Sequence, residues 1–384
     1  MHPGPDPLDT LQLSAPEASW NAGALTIRCT LGDVTELWVT HHGPRALLER
    51  VEPRVEPFLP IALLVAGAAG AHLDVAGSVD QTYLSTLRLS YLPLVQSLFG
   101  LPPIELRVTG RRPSTRRWAI SRRHAQDPAG LMFSGGIDSL YSFIRLRRAQ
   151  HPLSTLVNIN AGAHGFDRAL MRRRFSRIQA FADAHDVDAV LVDTNFHEVV
   201  RIAHDMCYTI RNIAAAGTLS GAMAGVVEST SRSYYQVNPL HVPLYMCNIA
   251  PTITVSLAWS GMPLIEVGYE TARWEKLLTI AEMPESHTTL DVCTNGPYQL
   301  AAGPGDPINC STCNKCVWVL LALDKMGLLE RYRPVFDLDL FRAGRDESLA
   351  AFVERGRSEF ASPHEPTAVR EPVLRVPPLV RAKG

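Results

Sequence analysis

The chain has 384 residues, of which 46% are hydrophobic and 20% are charged, and 37 basic residues nearly balance 38 acidic ones. The length suggests two domains, the composition excludes a disordered chain, and the near-zero net charge argues against nucleic acid as a partner. No apolar run is long enough to cross a bilayer and no signal-like segment opens the chain, so we expect a cytoplasmic protein with no membrane partner.

The first third of the sequence predicts a small α/β domain. Apolar residues alternate with polar ones in the predicted strands and recur at helical spacing in the predicted helices. These elements are the strands 24–30, 36–40, 104–108 and 118–120 and the helices 57–71 and 78–99. The arginine-rich segment 111–123 is interpreted as a solvated linker. We therefore place an N-terminal accessory domain over residues 1–127.

From Leu131 onward, predicted strands alternate with predicted helices. The strands are 131–133, 153–159, 189–192 and 264–267, and the helices are 137–148, 168–185, 249–259, 271–280 and 316–325. This alternation is typical of an α/β fold in which a parallel sheet carries helices on both faces. We place this domain over residues 128–345, and a C-terminal helix with a Pro- and Arg-rich tail over residues 346–384.

The most informative segment is Phe133-Ser134-Gly135-Gly136-Ile137-Asp138-Ser139, which joins a predicted buried strand to a helix. Glycines let the backbone approach a ligand, and the first N–H groups of a helix carry partial positive charge. Together with the two serine hydroxyls, these groups predict a phosphate-binding loop. The loop lacks the spacing and the lysine of a Walker loop, and it is not the dinucleotide-binding fingerprint.

Ser-Gly-Gly-x-Asp-Ser in this position resembles the signature of the PP-loop ATP pyrophosphatases, which have a HUP-like α/β fold. Members of that family cleave ATP between its α and β phosphates and adenylate a carboxylate, an amide or a nucleobase oxygen. A nitrogen or sulfur nucleophile then displaces AMP. The resemblance implies that the pyrophosphate end of ATP is bound by Phe133, Ser134, Gly135, Gly136, Asp138 and Ser139. It also implies a catalytic role for Ser134, Asp138 and Ser139.

Two separating phosphates require Mg²⁺ or cationic side chains beside them. Lys276 is the only lysine before the cysteine-rich segment, and it lies three residues after Arg273 on one face of a predicted helix. Because family members often carry a late lysine that reaches the phosphates, the resemblance implies a catalytic role for Lys276 and an ATP-binding role for Arg273. An exposed pair of helical cations is the alternative. Asp138 is expected to orient Mg²⁺ or to stabilise the helix start.

Asn160 ends the second predicted strand of this domain, where an open parallel sheet places its ligand crevice. The resemblance implies that this edge receives the adenine, so Asn160 is a further ATP-binding candidate. His164 is interpreted as a loop residue without a catalytic role, the alternative being a substrate contact or base. Residues 266–269 are a candidate wall of the same crevice.

Four of the seven cysteines occur late in the chain, and they are Cys293, Cys310, Cys313 and Cys316. Four thiolates with two short Cys-x₂-Cys spans suit a tetrahedral structural Zn²⁺. An iron–sulfur cluster and ordinary core packing are the alternatives. The scattered Cys29, Cys207 and Cys247 are interpreted as small buried hydrophobic residues.

A PP-loop followed by four late cysteines is similar to the 7-cyano-7-deazaguanine synthase family, in which such cysteines hold a structural zinc. Residues 309–316 and the helix after them are even more similar to a looser group of bacterial proteins found among biosynthetic genes. Residues 160–167 depart from the tyrosine-containing segment of the synthases. The resemblance therefore implies the reaction with ATP, and it does not imply that a deazapurine is the acceptor.

These resemblances imply an ATP- and Mg²⁺-dependent, AMP-forming ligase that adenylates a small-molecule carboxylate or amide for attack by nitrogen. A sulfur-transferring enzyme and an ATP-binding protein without turnover are the alternatives. Sulfur transfer would be favoured if Cys207 or Cys247 were exposed with a lowered pKa. The N-terminal domain is expected either to recognise substrate or to mediate a homodimer.

Overall fold

The computed structural model describes residues 9–114, 128–163, 167–233, 249–303 and 305–359. The predictions for the strand 118–120, for His164 and Cys247, and for the tail after residue 359 lie outside these ranges. The predicted domain boundary near residue 127 also falls in a gap between them.

Eleven strands of the described residues form one sheet. They are β1 (Thr10–Leu13), β2 (Glu17–Asn21), β3 (Ala24–Leu31), β4 (Thr35–His42), β5 (His72–Asp80), β6 (Leu106–Arg112), β7 (Ala129–Met132), β8 (Leu153–Asn160), β9 (Asp188–Thr194), β10 (Val226–Ser229) and β11 (Leu264–Val267).

The helices precede, connect and follow these strands. They are α1 (Arg45–Leu48), α2 (Leu59–Ala69), α3 (Gln81–Thr86), α4 (Leu92–Phe99), α5 (Ile137–Arg148), α6 (Arg168–Ala184), α7 (Phe196–Val199), α8 (His204–Gly217), α9 (Ala250–Leu257), α10 (Arg273–Ile280), α11 (Ser286–Thr289), α12 (Gly296–Ala301), α13 (Asn314–Lys325), α14 (Leu338–Ala343) and α15 (Arg345–Glu359). Shorter helical turns cover Glu56–Phe58, Leu87–Tyr91 and Leu329–Tyr332.

The strand order along the sheet is β11-β10-β7-β8-β9-β4-β3-β1-β5-β6, and β2 pairs with β3. The five strands from β11 to β9 are mutually parallel. Because parallel strands end at the same side, the carboxyl ends of these five strands form one edge of the sheet. This edge carries the glycine loop and the residues around it.

Helices cover both faces of the parallel strands. Because successive side chains of a strand point to opposite faces, neighbouring residues of one strand pack into different cores. Val157 of β8 and Val226 of β10 belong to one core, which includes residues of α2, α8 and α9. Their neighbours Leu156 and Val227 belong to a second core, which includes residues of α5, α10 and α13. The predicted α/β architecture, a mostly parallel sheet flanked by helices, is confirmed.

The N-terminal strands continue the same sheet. β4 pairs with β9 in antiparallel register, with Val39 opposite Thr194, and Asn195 binds the backbone of Trp38 and Glu36 across this junction. Residues of β3, α2 and α8 share one core. A separate accessory domain over residues 1–127 therefore stays a prediction, because its described part shares a sheet and a core with the later residues.

The predicted helix over residues 78–99 is wrong only in its first residues, and the chain is helical without a break from Gln81 to Phe99. β5 extends to Asp80, whose carboxylate accepts a hydrogen bond from the backbone N–H of Tyr83 and so starts α3. Pro93 has no N–H to continue the helical ladder, and the helix widens into a π turn at Leu87–Tyr91 just before α4.

The described helices include none with an apolar stretch of the length that a bilayer crossing requires.

Candidate functional site

The glycine loop lies at the carboxyl end of β7, and α5 begins directly after it. Gly135 has a φ of +75°, a left-handed conformation that favours glycine. Ser139 Oγ donates to the carbonyl of Gly136 (3.1 Å), and the N–H of Ser134 donates to Ser139 Oγ (3.3 Å). No side chain of the described residues caps the start of α5. The first turn of this helix therefore presents N–H groups and two hydroxyls suited to an anion.

Two cations meet the acidic residue of this turn. Arg273 Nη2 lies 3.1 Å from one oxygen of Asp138, and Lys276 Nζ lies 3.5 Å from the other. Lys276 is fully buried, and its ammonium donates to the carbonyl of Thr230. Burial lowers the pKa of Lys276 below its ordinary value, while the Asp138 carboxylate opposes that shift. The structure thus brings together Asp138, Arg273 and Lys276 as predicted, with one positive charge in excess when all three are ionised.

The space for Lys276 depends on a glycine. Gly268, in the loop after β11, has a φ of +106°, and a Cβ built on it would lie 2.9 Å from Lys276 Nζ. A side chain at this position would displace the ammonium group from Asp138 and Thr230. Gly268 belongs to the predicted wall 266–269, but the sequence did not connect it with Lys276.

Phe133 and Asn160 hold positions that restrict their predicted roles. The Phe133 ring is buried and stacks on Phe181 with 5.1 Å between centroids. Its N–H donates to the carbonyl of Val157 (2.9 Å) and its carbonyl accepts from Asn158 Nδ2 (2.9 Å), so its backbone is engaged within the sheet. Asn160 is buried at the end of β8, where its Nδ2 donates to Asp193 (2.8 Å). No described residue hydrogen-bonds its Oδ1. Asn160 therefore lies at the expected edge, in contact with β9 rather than with the glycine loop.

A second layer of polar side chains supports the loop, and the sequence analysis missed it. The N–H of Asp291 donates to the carbonyl of Gly135 (2.9 Å). Its buried carboxylate pairs with Arg174 (2.9 Å) and Arg177 (2.6 Å) and accepts from Gln299 (2.9 Å). The apolar neighbours of Asp291 and the helical spacing of the two arginines were the available signals, but their meeting depends on the tertiary fold.

The four late cysteines converge. Their sulfur atoms all lie within 4.8 Å of one another, and Cys316 Sγ lies 3.4 Å from Cys313 Sγ and 4.0 Å from Cys310 Sγ. Tetrahedral zinc with Zn–S bonds of about 2.3 Å would place the sulfurs about 3.8 Å apart. Hydrogen bonds from neighbouring thiols lower the pKa of Cys313, which favours a thiolate there. The donor set therefore fits a metal ion.

The cysteine cluster is joined to the glycine loop through the backbone. Asn309 Oδ1 accepts from the N–H groups of Val292 (2.9 Å) and Cys293 (3.0 Å), so it ties the segment of the first cysteine to the segment of the other three. Asp291, two residues before Cys293, holds Gly135 as described above. On α13, the Trp318 ring lies 5.7 Å from the guanidinium of Arg273. The cysteine cluster and the glycine loop are therefore linked through Asp291.

The remaining described cysteines are buried core residues, as the sequence predicts. Burial raises the pKa of Cys29 to about 12 and that of Cys207 to about 11. Cys207 is fully buried beneath the sheet, so it does not have the exposure and lowered pKa that sulfur chemistry would require.

Comparisons with protein-family models, with curated proteins and with solved structures found no match to this chain.

Proposed function

We propose that this protein is an ATP-dependent, AMP- and pyrophosphate-forming ligase of the PP-loop kind. It would adenylate a carboxylate or amide of a small molecule, and a nitrogen nucleophile would then displace AMP. The observation that carries this proposal is the meeting of Arg273 and buried Lys276 at Asp138, on the first turn of an uncapped helix at the carboxyl edge of a parallel sheet. This arrangement suits a highly charged phosphate ligand.

Different groups of this chain would contact different parts of the bound ATP. Backbone N–H groups of Gly135 and Gly136 and the hydroxyls of Ser134 and Ser139 would bind its oxygens. Lys276 and Arg273 would balance the charge that develops between the α and β phosphates. Asp138, which holds both cations in place, would also orient Mg²⁺ through water, and Mg²⁺ supplies further charge neutralisation when bound. Asn160 would contact the adenine end.

The cysteine cluster would hold a structural Zn²⁺. Cys293, Cys310 and Cys316 are buried and Cys313 is half-buried, which agrees with a closed four-ligand shell rather than a catalytic metal with an open position. An iron–sulfur cluster would use the same four thiolates, and metal analysis of the purified protein distinguishes the two.

Two alternatives to the ligase have less support. A sulfur-transferring enzyme would use a reactive cysteine, and Cys207 is buried with a raised pKa. For a protein that binds ATP without turnover, the argument against is that every position of the loop signature is retained.

The adenylation half of the proposal can be tested before the nucleophile is known. Purified protein is incubated with Mg²⁺–ATP, radiolabelled pyrophosphate and pools of small carboxylic acids. Reversible adenylation predicts label in ATP only in pools that contain the substrate. Exchange that is independent of any acid, or cleavage of ATP to ADP and phosphate in these incubations, would contradict the proposal.

A further inference from the structure

A second polar recess lies between β10, β11, α8 and α9, next to the phosphate loop. We call it the glutamate recess, and its lining residues are Tyr208, Glu228, Ser229, Thr230, Arg232, Glu266 and Tyr269. Glu228 and Glu266 are paired directly in the parallel register of the two strands. Two carboxyl groups therefore face the same small space.

Among the described residues, these carboxyl groups have no positively charged partner. Glu228 is only 7% exposed, and Thr254 Oγ1 donates to its Oε2 (3.0 Å), while Tyr269 Oη donates to Glu266 Oε1 (2.9 Å). Within the described part of the chain, neither glutamate forms an ion pair. Arg232 also lines the recess, and it has an interaction partner of its own. A buried carboxylate without a cation is costly, so a ligand that brings positive charge would stabilise this arrangement.

Burial and the facing Glu266 carboxylate raise the pKa of Glu228 to about 8. Burial also raises the pKa of Glu266. The other titratable or charged groups that line the recess are Tyr208, Tyr269 and Arg232. At neutral pH Glu228 therefore keeps its proton for the larger part, and the pair has acceptor oxygens left over.

The size of the recess limits what can enter. It has room for about one water-sized group. An ammonium group has this size, carries positive charge and donates hydrogen bonds in several directions, whereas a guanidinium or an aromatic ring would not fit.

The position of the recess connects it with the phosphate loop. Thr230 lines the recess, and its carbonyl also accepts the hydrogen bond from Lys276. Tyr269, which binds Glu266, follows the Gly268 that makes space for Lys276. Thr230 and Lys276 thus connect the recess with Asp138 at the start of α5.

We propose that the glutamate recess binds an ammonium group, either NH₄⁺ itself or the primary ammonium head of a larger nucleophile. Its role as nucleophile site rests on the proposed ligase function, but its binding of ammonium does not. In the reaction, an ionised glutamate takes one proton from the ammonium nitrogen. The freed electron pair of the nitrogen then forms the C–N bond to the acyl carbon. The bond from that carbon to the adenylate oxygen breaks, and AMP leaves with the electrons of the broken bond. A second proton passes from the nitrogen to solvent.

The test measures binding of ammonium without any ATP. Thermal unfolding of the full-length protein is followed at pH 7.5 with increasing NH₄Cl, methylammonium chloride or NaCl at constant ionic strength. We expect a saturable rise of the midpoint with NH₄Cl that NaCl does not give. If methylammonium acts at lower concentration than NH₄Cl, the natural ligand is the head of a larger amine; the reverse order indicates free ammonium.

Matched variants identify the site. Glu228→Gln and Glu266→Gln keep the shape of the pair, and each removes one ionisable carboxyl group. Because a bound ammonium ion favours ionisation of both carboxyl groups in the wild type and only one can ionise in each variant, each substitution should weaken the apparent ammonium affinity at least tenfold. Glu282→Gln, on an exposed side chain that pairs with Arg148, should leave it unchanged. An equal response to NaCl, or an unaltered response in both recess variants, would overturn the proposal. Circular dichroism confirms that each variant is folded.

Failure here is distinguishable from failure of the ligase. If ammonium binding is lost only in the recess variants and ATP is cleaved to ADP, the recess is an ammonium site but the proposed AMP-forming ligase function is wrong. If pyrophosphate exchange depends on an acid but NH₄Cl does not raise the unfolding midpoint, the adenylation step is supported and the recess is not the nucleophile site.

Discussion

At the scale of residues, the site depends on a buried positive charge that is held by a few oxygen atoms. Lys276 has no exposure and contacts Thr230 and Asp138. Arg273 is partly exposed and reaches the same carboxylate. Bound phosphate would therefore meet one buried and one accessible cation, so the two side chains contribute differently.

Lys276→Met should weaken binding of Mg²⁺–ATP. A charge-assisted hydrogen bond contributes about 1.5–3 kcal/mol, which corresponds to about a 10- to 100-fold rise in Kd. The comparison is Lys325→Met, an exposed lysine at the end of α13. Calorimetric titration with ATP checks the prediction, and equal affinities in the two variants would contradict it.

Gly268→Ala tests whether the position of the Lys276 ammonium group matters, because the substitution keeps the positive charge but moves it. The new Cβ would lie 2.9 Å from Lys276 Nζ, so we expect at least a tenfold weaker affinity for ATP. Gly305→Ala is the matched control, because Gly305 also has a positive φ but has no atom within 4 Å of its Cβ position. Both variants should lose some stability, and an equal loss of ATP affinity in both would show that backbone strain alone is responsible.

At the scale of elements, the local patterns predicted some structures and missed others for physical reasons. α5 and β11 lie where the sequence predicts them, because a glycine pair and a short apolar run bounded by turns define them locally. β10 has only four residues and was not predicted, although it carries Glu228. α8 was also missed, since its buried face is mixed with polar residues such as Thr209 and Arg211.

The pairings between elements could not be read from the sequence. The cysteine spacing predicts a metal site, but the link from Asn309 through Asp291 to Gly135 forms between segments far apart in the chain. The same holds for the junction of β4 with β9, which continues the N-terminal strands into the parallel sheet. The sequence therefore predicted the candidate loop, cation and cysteine residues and not the contacts that support them.

Loss of the metal should loosen the phosphate loop, because Asp291 and Asn309 connect the two. Cys316→Ser should release bound metal and increase amide exchange in residues 133–139. Cys207→Ser places a similar hydroxyl in the other core and serves as the control for general destabilisation. Metal analysis and hydrogen–deuterium exchange provide the measurements. A metal-free variant with an unaltered loop would show that the cysteine site stabilises only its own segment.

At the scale of the whole molecule, one sheet with two cores carries both the glycine loop and the glutamate recess. α5 and the cysteine helix α13 pack on one face, and α8 and α9 pack on the other. The recess and the loop thus approach the shared carboxyl edge from opposite faces.

The free energy of unfolding should carry a pH dependence from Glu228. Its pKa in the folded protein is raised from 4.5 to about 8, so the unfolded chain releases this proton first. The contribution of Glu228 to stability is complete below about pH 4.5 and is lost as the pH rises through about 8. Relative to wild type, Glu228→Gln should therefore become more stable as the pH rises from 5 to 8.

Urea unfolding at several pH values measures this difference. Glu282→Gln should show no such trend relative to wild type. A constant difference between Glu228→Gln and wild type across pH 5–8 would mean that Glu228 is ionised throughout the range.

The most direct test of the central claim is the identity of the products of ATP. Purified protein is incubated with Mg²⁺–ATP, pooled small carboxylic acids and ammonium chloride, and AMP with pyrophosphate is separated from ADP with phosphate. We predict AMP and pyrophosphate in equal amounts, formed only when a substrate acid is present and strongly reduced in Lys276→Met. ADP and phosphate as the products would contradict the assignment of this loop to pyrophosphate release.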